Sequence, residues 1–211
     1  MIFTLPLFPL PSVVLFPNVF LPLHIFEPRY RQMVADALAG DRIIGMVTLR
    51  QGHEDDYEAS PPIYETGCSG LITHVETLDD GRYNIILRGL EKFSIRSEEL
   101  PAPGRQYRSA MISPIDESVP PSDRDALRRE RMKLQNLLTP LFNGGLEGRL
   151  PEAMPDEDLV NALAQYLEFE PMEKLALLER HGPLARCRSM VELLEMKALV
   201  KDRAGDNGMI H

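Results

Sequence analysis

Cys68 and Ser69, in the stretch Gly67-Cys68-Ser69-Gly70, are potential nucleophiles by type. A hydrolase elbow has the form G-x-S-x-G and needs a histidine and a carboxylate to activate its serine. The order here is different and no such partner stands at a recognisable spacing. The stretch therefore reads as a strand whose glycines allow another segment to come close. His24 lies in the apolar run Leu21-Pro22-Leu23-His24-Ile25-Phe26, and a lone imidazole in that setting reads as a packed or hydrogen-bonded core residue. His53-Glu54-Asp55-Asp56-Tyr57-Glu58 offers oxygen ligands to a divalent cation. It lacks the glycine-placed spacing of a calcium loop and reads as a solvated acidic loop. Cys68 and Cys187 are the only cysteines. With no CxxC and no Cys/His cluster, neither zinc nor any other metal or cofactor is expected. No G-x-x-x-x-G-K-[ST] phosphate loop occurs. The sequence spells out no catalytic constellation, so the expectation is a chain that is not an enzyme.

Charge narrows the partners. The net charge is −9 and the pI about 5.1, and neither half is basic, so DNA binding through phosphate contacts is not expected. Arg124, Arg128, Arg129, Arg131 and Lys133 crowd one helical stretch, where Asp125 and Glu130 can pair with them. Glu27 and Arg29 stand between a strand and a helix. They read as a local ion pair at a helix start, or as the polar edge of a peptide groove.

The elements that must position these residues begin with an unusual opening. The first 26 residues contain no Asp, Glu, Lys or Arg, yet Pro6, Pro9, Pro11, Pro17 and Pro22 punctuate them. Prolines at that density disrupt a helix, so neither a signal peptide nor a membrane span fits. No later apolar run is long enough to span a bilayer. Short extended pieces are expected at Leu5 to Leu10, Val13 to Phe16 and Leu21 to Phe26. Pro28 then starts a helix to about Ala39, with Tyr30, Met33, Val34, Ala37 and Leu38 as its apolar stripe. Strands follow at Ile43 to Leu49 and Thr66 to Thr77. Asp79-Asp80-Gly81 turns the chain into a strand in which Tyr83, Ile85 and Leu87 alternate with Arg82, Asn84, Ile86 and Arg88. Gly89 marks a bulge or bend there, before further strands at Phe93 and Ile95 and from Tyr107 to Ile112.

Composition changes near Pro114. Pro120-Pro121 and Ser122 introduce a helix whose Leu127, Leu134, Leu138 and Leu141 share a face, ended by Asn143-Gly144-Gly145. Asp156, Glu157 and Asp158 open another helix, Pro171 a third, and Met190 to about Val200 form the last. The expected division is a strand-built subdomain over 1–115, a helical subdomain over 121–204 and a tail over 205–211.

The opening, from Leu5-Pro6-Leu7-Phe8-Pro9 through Leu21-Pro22-Leu23-His24-Ile25-Phe26-Glu27-Pro28-Arg29-Tyr30-Arg31, resembles the start of the N-terminal domain of Lon protease. Thr66 to Ile72, the hairpin Asp80 to Ile95 with its G-x-x-[RK]-F-x-I ending, and Glu173 to Glu179 followed by Arg186 and Val191-Glu192-Leu193-Leu194 continue the likeness over nearly the whole chain. The resemblance implies an α+β fold: a PUA-like antiparallel β-barrel followed by a C-terminal helical bundle. It also implies the binding of substrate proteins. The ATPase and protease modules of Lon have no counterpart in this sequence, which resembles the family's free-standing members.

The expected function is thus a non-enzymatic cytoplasmic module that holds unfolded or partner polypeptides in an apolar groove or along an open strand edge. Phe16, Val19 and Phe20, with Glu27 and Arg29, are the candidate contacts. RNA or nucleotide-derivative binding through the PUA-like barrel is the alternative. Two apolar helices in the second half fit a bundle or a homodimer interface equally well.

Overall fold

The computed structural model of the chain describes residues 2–53, 60–99, 101–139 and 154–206. The acidic stretch 54–58, the helix stop at 143–145 and the tail from 207 lie outside them. Among the described residues six strands run β1 (Phe3–Leu10), β2 (Phe20–Ile25), β3 (Ile43–Leu49), β4 (Ile63–Thr77), β5 (Tyr83–Glu99) and β6 (Ser109–Pro114). Helix α1 (Pro28–Ala39) lies between β2 and β3. After β6 come α2 (Pro121–Leu138), α3 (Asp156–Tyr166), α4 (Pro171–Glu179) and α5 (Gly182–Asp206). The fold is α+β, and the chain forms two compact units. One runs to Asp116 and includes Asn161–Glu179; the other comprises Glu117–Val160 and the chain from Arg180 on.

In the first unit the strands follow the order β2-β5-β4-β3-β1-β6, and β5 also pairs with β6, so five of them close a ring. The expected antiparallel arrangement fails at one place: β1 and β3 pair in parallel, Leu7 opposite Gly45. The cause is local. The chain leaves β1, lays down β2 and crosses back through α1 before β3, as a parallel partner requires. The further strand expected at Phe93 and Ile95 is continuous with the hairpin arm, since β5 runs through Gly89 for 17 residues.

Gly89 is where β5 changes partner. Residues 83–88 pair with β2 and residues 93–99 with β6. Into that junction fits the turn Phe16-Pro17-Asn18-Val19. Pro17 presets its φ and Asn18 takes φ 59, as a turn with a left-handed third residue requires. Asn18 donates to the Gly89 carbonyl at 2.9 Å and Gly89 donates to the Val19 carbonyl at 2.9 Å. A Cβ on Gly89 would lie 2.0 Å from the Phe16 carbonyl oxygen, so only glycine lets these backbones meet. Val13 to Phe16 is not the strand expected of it. The stretch is a buried connector, and the Phe16 N–H donates to the Gln165 side chain (3.2 Å) rather than to a ladder.

Two apolar clusters among the described residues lie within this unit. Beneath α1, Tyr30, Met33 and Val34 pack with Phe8, Leu15, Ile72, Ile85 and Leu87; the Phe8 and Tyr30 rings are 4.5 Å apart. All five ring strands contribute to the second cluster, among them Leu5, Leu7, Val47, Ile63, Phe93 and Ile112. In the second unit, α2 buries Leu127, Leu134 and Leu138 and packs against α5. Arg186 of α5 is wholly buried, and its Nη2 meets Glu117 Oε1 at 2.6 Å.

Candidate functional site

Among the described residues strand β2 pairs with β5 on one side only, so within the sheet it forms an edge. Its register places Phe20 opposite Arg88, Pro22 opposite Ile86 and His24 opposite Asn84. Across β5, His74 stands opposite Ile86 and Glu76 opposite Asn84. Directly opposed residues share a face. One face of β2-β5-β4 therefore carries Leu21, Leu23, Ile25, Ile85 and Leu87, packed in or against the core. The other carries Phe20, Pro22, His24, Asn84, Ile86, Arg88, His74 and Glu76. That second face is open, and a groove of about 400 Å³ runs over Pro22, Leu23, His24, His74, Asn84, Ile85 and Ile86. Phe20 is 50% exposed, and Phe26, just past the strand, is 59% exposed.

A polar network fixes one end of the groove. His24 Nδ1 lies 2.7 Å from Asn84 Oδ1, and the Asn84 amide donates to Glu76 Oε2 at 2.7 Å. Arg82 reaches His24 Nε2 at 3.3 Å and pairs with Asp80. With Arg82 donating to Nε2, the Nδ1 nitrogen of His24 carries the proton. His24 does not take the core position expected of it. It makes hydrogen bonds as anticipated, but strand alternation turns it to solvent, and its ring stacks on Phe26 at 6.2 Å.

The free edge is partly closed. Val19 and Gly89 bond to each other, so alternation turns the main-chain groups of Phe20, Pro22 and His24 away from β5. The Tyr166 hydroxyl of α3 donates to the Phe20 carbonyl at 2.7 Å. Pro22 has no N–H to offer. A proline on an edge strand is a common guard against unwanted pairing. What remains accessible is chiefly side-chain surface.

The candidate residues divide. Phe20 lies on the open face. Phe16 is 0% exposed and Val19 3%, so neither meets solvent; they anchor the turn that sets the start of β2. Glu27 and Arg29 form the local ion pair, Nη2 to Oε2 at 2.9 Å. Arg29 also lies over the Tyr30 ring at 4.6 Å, and the Glu27 side chain makes no capping bond to α1. Pro22, His74, Glu76, Asn84, Ile86 and Arg88 lie on this face though sequence reasoning did not propose them as contacts, and Tyr166 meets its edge. Ile86 carried a signal, being the apolar member of the otherwise polar series Arg82, Asn84, Ile86, Arg88.

The nucleophile candidates are structural. Ser69 Oγ donates to the Glu91 carbonyl (3.1 Å) and accepts from the Glu91 N–H (3.2 Å), stitching the bulge between β4 and β5. Cys68 and Cys187 are both buried thiols, not joined to each other. Burial pushes the Cys187 thiol up to about 12, and the nearby carboxylates of Glu130 and Asp156 add to the shift. Among the described residues no group of three or more metal-ligating side chains converges. Part of the basic run on α2 is tied up: Arg131 pairs with Asp156, and Lys133 with Glu130 at 3.1 Å.

The model of the ATP-dependent protease La (LON) substrate-binding domain matches residues 4–196. The chain belongs to this family. Its Lon relatives include Lon protease 2 of Myxococcus xanthus, 26% identical over 201 residues. The Lon protease of Flavobacterium johnsoniae is 32% identical over 117 residues, 56% of this chain and 14% of the relative. The Myxococcus match covers 92% of this chain and 24% of the protease, so the chain spans about a quarter of the full-length relative. The crystal structure of a Lon N-terminal domain protein from Xanthomonas campestris superposes with TM-score 0.61 at 22% identity. It covers 90% of this chain and 98% of that one. The N-terminal domain of the Mycobacterium avium complex Lon protease gives TM-score 0.64 at 15% identity, covering 91% and 98%. These likenesses extend over the Lon substrate-binding domain and no ATPase or protease module. Among the described residues no helix is long and apolar enough to cross a membrane.

Proposed function

We propose that this Lon substrate-binding-domain protein is a non-enzymatic module that holds extended polypeptide segments on the open face of β2-β5-β4. The observation that carries the reading is an apolar strip, exposed at Phe20 and Pro22 and half-buried at Ile86, beside a groove of about 400 Å³ in a family defined by substrate binding. The strip offers shallow pockets at strand spacing, the geometry that suits alternate side chains of an extended chain. Because Pro22 and Tyr166 blunt the edge, side-chain burial contributes more than a main-chain ladder. Phe16 and Val19 support this site from below, and the Glu27–Arg29 ion pair lies at the start of α1. We further read the closed strand ring as the PUA-like barrel that the family resemblance implies. The second-unit helices are read as its bundle, and the protein as cytoplasmic.

Binding of a fluorescently labelled, permanently unfolded model protein is the direct test. Wild type is expected to bind it in the micromolar range. Phe20→Ser is expected to weaken binding about tenfold, as truncation of a central aromatic anchor does, with an unchanged melting temperature because Phe20 is half exposed. Wild type that binds no unfolded protein at high micromolar concentration would sink the proposal.

A further inference from the structure

Resting on that reading, we infer that the Phe20 end of the face selects segments in which an acidic residue adjoins the apolar one. Arg88 stands directly opposite Phe20 on the open face. It is exposed, and its guanidinium reaches the Asn18 side-chain oxygen at 3.4 Å. Among the described residues it meets no carboxylate at ion-pair distance. The other charges of this surface are engaged: Arg82 by Asp80 and His24, and Glu76 by Asn84. Among the described residues, Arg88 is thus a cation of this face with no carboxylate partner, next to its most exposed strand aromatic. A guanidinium so placed can take a carboxylate in a two-pronged contact while Phe20 covers the neighbouring apolar side chain.

The net charge of −9 opposes acidic ligands in general. Charges further apart than about 8 Å are largely screened at physiological salt. A carboxylate seated against Arg88 therefore experiences chiefly Arg88.

Three peptides sharing one apolar core and flanked by Asp, Ser or Lys test this by fluorescence anisotropy at low and high salt. The Asp-flanked peptide is expected to bind wild type about three- to fivefold tighter than the Ser-flanked one, the range of an exposed ion pair. The Lys-flanked peptide should be weakest, and high salt should compress the differences. Arg88→Glu is expected to reverse the order without lowering the melting temperature, since the side chain is at the surface. Equal binding of Asp- and Lys-flanked peptides to wild type overturns the inference while leaving the peptide site standing. An order unchanged by a folded Arg88→Glu overturns it too. If none of the three binds wild type, the inference falls together with the functional reading beneath it.

Discussion

Gly89→Ala is expected to lower the melting temperature by more than 10 °C, roughly what a loss of about 4 kcal/mol produces in a unit of this size. The added methyl would lie 2.0 Å from the Phe16 carbonyl oxygen and 2.9 Å from the carbonyl carbon. Both contacts are backbone, so no rotamer change relieves them. Moving the turn away breaks the paired 2.9 Å bonds that Gly89 makes with Asn18 and Val19, and it pulls wholly buried Phe16 from its place. Each separated buried amide costs about 1–3 kcal/mol and overpacking adds a similar amount. Calorimetry of the variant measures the sum. A wild-type melting temperature would mean that turn and strand do not meet as described. The same substitution should displace β2 and weaken polypeptide binding, because the turn sets where the edge strand begins.

The second large effect concerns Arg186. Its side chain is fully buried and its guanidinium is 2.6 Å from Glu117, which is itself nearly buried. Arg186→Met leaves that carboxylate without its cation, and breaking one side of a buried pair costs about 3–5 kcal/mol. Arg186→Met with Glu117→Leu removes both charges, and about half of the lost stability should return, because the desolvation penalty goes with them. Chemical denaturation of the two single variants and the double completes the cycle. Additive losses would contradict the pairing as the source of the cost.

The sequence disclosed those parts of the fold that depend on neighbours along the chain. Asp79-Asp80-Gly81 announced its hairpin, and Gly81 takes φ +77 with the Leu78 N–H bonded to the Arg82 carbonyl. The stripe Tyr30, Met33, Val34 and Ala37 is buried as its helical spacing required. Partner choice across the sheet was beyond such reasoning. That β2 is an edge, that β5 changes partner at Gly89 and that β1 lies parallel to β3 all follow from pairings distant in sequence.

The candidate site shows the same division. Phe16, Val19 and Phe20 sit in one proline-cut apolar run, and composition treats them alike. Register separates them, since the turn buries the first two and alternation exposes the third. Asn161 and Gln165, which reach the Pro17 carbonyl and the Phe16 N–H, left a readable trace: two polar residues four apart on a helix otherwise apolar on that face. The loop they bind could not be inferred from α3 alone.

The most direct measurement of where polypeptide binds is amide chemical-shift mapping of the isotope-labelled protein titrated with a permanently unfolded model protein. The account predicts saturable shifts centred on Phe20 to Phe26, Thr73 to Glu76 and Arg82 to Arg88, with α2 and α5 unmoved. Shifts confined to α2 or α5, or none at saturating polypeptide, would contradict it.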